Sequence, residues 1–226
     1  MQTSGTQEEI FERANATVAV AATLQNGPSG YEWDEMTNAA FAAKIAAARA
    51  ARQIADDKKA DYDAQRGLTN ARFEELEGLK IQALGMAKYR FRKDAKQLEM
   101  VNSVGEYGEG REATLKEADE WSAAWNNVDP SWNPTAGNTL AAFQTRSADC
   151  AAQLKTLTQL KSDARKAGID LSAQLAEIED DSVGWYGVAT RAFPTGTAEG
   201  DLIRSQIPTF ESGSPAPTPT PAPPTP

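Results

Sequence analysis

"FAAKIAAARAARQIADDKKADYDAQR", Phe41 to Arg66, places Phe41, Ala48, Ala55 and Tyr62 at seven-residue intervals, with Ile45 beside them. Two turns of an α-helix take about seven residues, so this spacing lines apolar side chains along one side of a helix. Alanine fills many of the other positions and loses no side-chain entropy on becoming helical. The stretch predicts a helix over roughly 34–66, ended by Gly67 in "QRGLTN".

The same stripe occurs again further along. A displacement of 102 positions carries it onto Phe143, Cys150, Leu157 and Ala164, and also pairs Gly85, Ala87, Phe91 and Ser103 with Gly187, Ala189, Phe193 and Ser205. Pro28-Ser29 falls on Pro130-Ser131, and Glu99-Met100-Val101 on Asp201-Leu202-Ile203. One displacement fitting Pro, Phe and Gly pairs over most of the chain predicts a tandem duplication.

Each copy reads as three helical segments. The first opens at Thr6-x-x-Glu9 in one copy and near Thr114-x-x-Glu117 in the other, both capping-box patterns. The second carries the stripe, turns at Gly67 or at Gly168 in "RKAGIDLS", and hands over to a third capped by Thr69 or Asp170. That third segment carries Phe73, Leu76, Leu84 and Ala87 in one copy and Leu175, Ile178, Tyr186 and Ala189 in the other.

The expected fold is therefore all-α. Two long antiparallel hairpins pack as a four-helix bundle, with the opening helices as side elements. Residues 1–104 form the first helical unit, 105–111 ("GEYGEGR") a connector, and 112–211 the second unit, packed with the first as one domain. Residues 212–226, "SGSPAPTPTPAPPTP", alternate proline with small residues; they predict an extended, disordered spacer outside the fold.

Composition narrows the chemistry. The chain has one cysteine, Cys150, and no histidine. Ser-His and Cys-His catalysis, intrachain disulfides and most zinc sites are thereby removed, and no cofactor is implied. The net charge of −9 disfavours generic binding to nucleic acid or anionic lipid, whose affinity comes from Lys and Arg displacing counterions. There is no basic start with a continuous apolar core, and no run of about 20 apolar residues, so the default expectation is a cytoplasmic protein without a membrane span.

Three candidate sites remain. In "KYRFRKDAK" the cations Lys88, Arg90, Arg92, Lys93 and Lys96 interleave with Tyr89 and Phe91, a pattern that can hold an anion or a nucleic-acid backbone. The matching positions of the second copy, "TRAFPTGTA", lack those charges, and the acid-rich stretch 97–120 offers an internal partner. Trp121 and Trp125, four residues apart on one helix, are either core or, if exposed, anchors for a partner protein. The acids Glu74, Glu75 and Glu77, with Glu177, Glu179, Asp180 and Asp181, are exposed-face residues or, alternatively, oxygen ligands or acid–base groups. Cys150 belongs to the apolar stripe, where it is a small core residue.

The segment from Tyr186 to Phe210 carries a Gly-x-Ala-x3-Phe helix end, Gly187, Ala189 and Phe193, followed by Asp201-Leu202-Ile203-Arg204-Ser205. Together with the "AAF" helix openings it resembles uncharacterised all-helical bacterial hypothetical proteins. That resemblance implies a bacterial source and carries no activity. The functional expectation is a non-enzymatic helical scaffold or interaction module acting on a protein partner or as a homo-oligomer. Anion or nucleic-acid binding through 80–96 and a carboxylate-based metal protein or enzyme are the alternatives.

Overall fold

The computed structural model describes residues 6–208. Among these the chain is all-α, with six helices and no strand: α1 (Gln7–Asn26), α2 (Asn38–Arg90), α3 (Ala95–Asn102), α4 (Arg111–Val128), α5 (Leu140–Ala192) and α6 (Ala198–Gln206). No helix of the described residues is long and apolar enough to cross a membrane. The spacer expected at 212–226 lies outside the described residues.

Helix starts follow their side chains where a cap exists. Thr6 and Glu9 form the expected capping box of α1. Thr37 accepts from the Ala40 amide at 3.2 Å and Thr139 from the Ala142 amide at 3.1 Å, so each long helix opens on a threonine. α4 departs from expectation. It begins at Arg111 behind Gly110, whose φ of 120° is left-handed, and it has no side-chain cap. Thr114 instead donates its hydroxyl to the Gly110 carbonyl from inside the first turn.

The turns expected at Gly67 and Gly168 do not occur. α2 and α5 each continue unbroken for 53 residues through those glycines, and Thr69 and Asp170 are helix-interior positions, not caps. The two expected hairpins are thus two single helices. A glycine inside a helix costs only about 1 kcal/mol relative to alanine. Beyond Gly67 the seven-residue stripe resumes without a change of phase at Thr69, Leu76 and Ala83, all buried. Burying three more turns of that stripe outweighs one glycine.

The chain divides into two compact units that are not its sequence halves. The terminal unit comprises the described residues through Ala55 and from Lys166 onward; the central unit is Asp56–Arg165. Both α2 and α5 supply residues to both units.

In the terminal unit, Ile10, Phe11 and Ala14 of α1 pack with Phe41, Ile45 and Ala48 of α2 and Leu171, Leu175 and Ile178 of α5. A second cluster joins Val20, Ala21 and Leu24 of α1 to Trp185 and Ala189 of α5, Ile203 of α6 and Ile207. The central unit has one larger core, in which Phe73, Leu76, Ala83 and Ala87 of α2 meet Val101 of α3, Trp121 and Trp125 of α4, and Phe143 and Cys150 of α5.

Candidate functional site

Two features of the surface are candidates: a polar cleft in the central unit, and exposed apolar residues on the two long helices. The cleft begins with Lys80. It lies on the buried side of α2 between the stripe positions Leu76 and Ala83, so the helix carries its charge into the core, and only 8% of the residue is exposed. The ammonium donates to Glu117 of α4, equally buried. Glu117 also accepts from the Tyr107 amide at 2.8 Å. The Lys80 bond first, and the amide second, hold the Glu117 carboxyl below its ordinary range.

One turn further along α4, Glu120 accepts from the Tyr107 hydroxyl and from the Gly105 amide, at 3.0 Å for the latter. These two bonds lower its pKa. Lys116 places its ammonium 3.5 Å from the Tyr107 ring centroid. The segment 105–110 is thereby tied to α4. Between it, α2 and α3 lies a cleft of about 470 Å³, with Ile81, Leu84, Val101 and Val104 as apolar lining and Glu77, Glu106, Glu109 and Lys88 among its polar lining. Its buried charges neutralise one another. No group of three or more acids or thiols among the described residues is placed to hold a metal ion.

The cations of the basic segment are all exposed but do not share one helix face. Lys88 lines the cleft. Arg90 pairs with Asp129 at 3.2 Å and lies over the Phe91 and Trp132 rings. Arg92 donates to the Tyr89 carbonyl at 2.7 Å, its guanidinium 4.1 Å from the Tyr89 centroid. Lys93 falls in the turn after α2 and Lys96 in the first turn of α3, whose amides are capped by Asp94.

Trp121 and Trp125 are each 1% exposed, with ring centroids 5.4 Å apart, and Trp125 donates its indole N–H to the Trp132 carbonyl at 3.0 Å. They are core residues and present nothing to a partner. Among the acids, Glu75 takes ion pairs from Arg72 and Arg146, and Asp181 from Lys44. Cys150 is buried and donates to the Arg72 carbonyl. Burial, with Asp149 beside it, pushes its thiol up, the opposite of what a nucleophile needs.

Sequence reasoning passed over the exposed apolar residues. On α2, Ile54 is 54% exposed, Leu68 64%, Ile81 61%, Met86 40% and Tyr89 70%; on α5, Ile169 is 59% exposed, Val183 52% and Val188 44%. Ile81 and Val183 stand 102 positions apart, as do Met86 and Val188. Gly85 and Gly187 repeat at the same displacement inside their helices, and a Cβ on either would meet no atom within 4 Å. The available signal was apolar residues that repeat at the common displacement while falling off the seven-residue stripe.

No family model matches the chain, and no curated protein or solved structure matches it.

Proposed function

We propose that this chain is a non-enzymatic helical scaffold or protein-interaction module, built by tandem duplication of a three-helix unit. The burial pattern of the long helices supports the duplication. Phe41, Ile45, Ala48, Thr69, Phe73, Leu76, Lys80, Ala83 and Ala87 are the buried residues of α2. Displacement by 102 carries all nine onto buried residues of α5, from Phe143 through Ser147 and Ser182 to Ala189. Even Lys80, a charged intruder, falls on a buried position. In this reading α1, α2 and α3 correspond to α4, α5 and α6, and each compact unit takes helices from both copies.

The observation that carries the functional reading is the pair Ile81 and Val183. A duplicated helix keeps buried positions apolar for packing, but Ile81 and Val183 are more than half exposed, and exposed aliphatic side chains repeated in both copies favour a contact made outside the chain. Substituting a photo-crosslinking benzoylphenylalanine at 81, at 183 and, as a control, at Asp61 tests it in the host cell. Discrete protein adducts at 81 or 183 and none at 61 are the expected result. Absence of adducts at both 81 and 183 overturns the reading.

A further inference from the structure

We propose that Asn26 is a site of spontaneous covalent modification, at which the side-chain amide is lost and the end of α1 loosens as the molecule ages. Asn26 is the one asparagine of the chain that precedes a glycine. An asparagine side chain is attacked by the backbone nitrogen of the residue that follows it, and glycine leaves that nitrogen unshielded because it has no Cβ. After every other asparagine a side chain or, at Pro134, a ring stands in the way.

The reaction needs only water from outside the chain. The Gly27 nitrogen attacks Cγ of Asn26; the new carbon–nitrogen bond forms, the bond from Cγ to Nδ2 breaks, and Nδ2 departs as ammonia with the proton that Gly27 gives up. Water then opens the cyclic imide. Cleavage of the new bond leaves aspartate, and cleavage of the original peptide bond leaves isoaspartate, whose main chain runs through the side chain and is one atom longer. A water is consumed, an ammonia is released and nothing is oxidised.

The fold sets the rate. Asn26 is exposed and is the last residue of α1. Helical backbone there turns the Gly27 nitrogen away from Cγ, so the last turn has to open before the ring can close. Two bonds resist the opening: the Gly27 amide donates to the Leu24 carbonyl at 3.4 Å, and Asn26 Nδ2 donates to the Ala22 carbonyl at 2.9 Å. The first is long and the second is exposed to water, and helix ends fray at little cost in free energy.

The product weakens the same turn. A carboxylate at 26 has no hydrogen to give the Ala22 carbonyl, and its charge lies at the negative end of the helix dipole, where the last turn holds no basic residue to offset it. Leu24 is 2% exposed and belongs to the cluster of Trp185 and Ile203, so a loosened last turn reaches the terminal core.

Peptide mapping by mass spectrometry on the full chain, aged in neutral buffer with and without guanidinium chloride, tests the proposal. Aspartate and isoaspartate are expected at 26 before any other asparagine has reacted, at a rate in the folded chain within about tenfold of that in denaturant. Asn26→Gln keeps an amide but needs a larger ring, and should react far more slowly. Asn26→Asp reproduces the aged chain, and its amides from Leu24 to Asn26 should exchange hydrogen about two- to fivefold faster than those of the wild type. Protection by folding of more than about tenfold, earlier reaction at another asparagine such as Asn102 before Ser103, reaction of Asn26→Gln at the wild-type rate, or unchanged exchange in Asn26→Asp overturns the proposal.

Discussion

The terminal and central units solve one packing problem with opposite distributions of bulk. In the central unit the tryptophans carried on helices come from the short helix, Trp121 and Trp125 of α4, while α2 supplies Ala83 and Ala87 beside Phe73 and Leu76. In the terminal unit the long helix supplies Trp185 and the short helix answers with Val20 and Ala21. Each core keeps its volume while exchanging which helix provides it, which cores tolerate better than a net change.

The polar contacts are inverted as well. In the central unit Glu117 accepts from the backbone amide of Tyr107, beyond α3; in the terminal unit Arg13 donates its Nε–H to the backbone carbonyl of Pro208, beyond α6, at 3.2 Å. Glu117 is compensated by Lys80, whereas the corresponding position of α5 is Ser182, which satisfies itself on the Ile178 carbonyl at 2.7 Å. The lesson is that position is shared and chemistry is not: a first helix holds the chain that follows a short final helix, by carboxylate in one unit and by guanidinium in the other.

The largest expected effect is on the tryptophans. Trp125→Ala should cost about 3–5 kcal/mol in urea unfolding, because it removes a fully buried ring packed against Trp121, Trp132 and Phe143. Ala83→Trp adds bulk where the central unit already has it and should cost about 1–3 kcal/mol by overpacking; tolerance of both changes at no cost would break the exchange-of-bulk comparison. Next is the ion pair. Glu117→Gln strands a buried ammonium and should cost about 3–5 kcal/mol, while Lys80→Met with Glu117→Leu should be near neutral or stabilising. Ser182→Ala should cost about 1 kcal/mol or less, since its bond is local.

Acid should separate the units. In the central unit, Glu117 is held low by Lys80, Glu120 by the Tyr107 hydroxyl and Asp129 by the Ser131 hydroxyl; in the terminal unit Glu9 is lowered by the Thr6 amide. A carboxyl whose folded pKa is depressed contributes its full stability above its ordinary value, 4.5 for Glu and 3.8 for Asp, and loses it as pH falls through the lower folded value. The central unit should therefore weaken more steeply below those values. Fluorescence of single-tryptophan variants retaining Trp125 or Trp185 would report the two units separately, and coincident acid transitions would argue against the difference.

The smallest effects concern helix signals. Thr6→Ala should cost about 1 kcal/mol and Thr114→Ala only a few tenths, because the one caps a helix and the other does not. Gly67→Ala and Gly168→Ala should each stabilise by about 0.5–1 kcal/mol, since nothing lies within 4 Å of the added methyl and the helix gains a better former. Destabilisation at either site would restore the turn to consideration.

Helical class and the Thr6 cap were legible from local rules, because alanine-rich spacing and capping groups act within a few residues. The continuity of α2 and α5 was not read, although its trace was present. Phe41, Ala48, Ala55 and Tyr62 are followed at the same interval by Thr69, Leu76 and Ala83, and a turn at Gly67 would have broken that phase. A glycine is a weak local signal and was given more weight than a distributed one. The cleft was less legible: Lys80 and Glu117 are 37 positions apart, and only folding brings a charged residue beside the stripe to its counterion. Cys150 was legible as a core residue because it lay on the seven-residue stripe; the tryptophan pair was left between core and partner anchor, because four-residue spacing fixes a shared helix face without saying whether that face is buried.

The interleaving of the two units also orders events during synthesis. Residues 56–165 leave the ribosome as one continuous stretch holding every part of the central core. The terminal core has no such option: Ile10, Phe11 and Phe41 emerge first and must wait for Leu171, Leu175 and Ile178, and Val20 for Ile203. At about 5–20 residues per second that wait exceeds several seconds. Throughout it the apolar side of α1 stays uncovered by the residues of α5 and α6 that bury it in the finished protein, so the nascent chain carries its greatest risk of misassociation in its own first 55 residues.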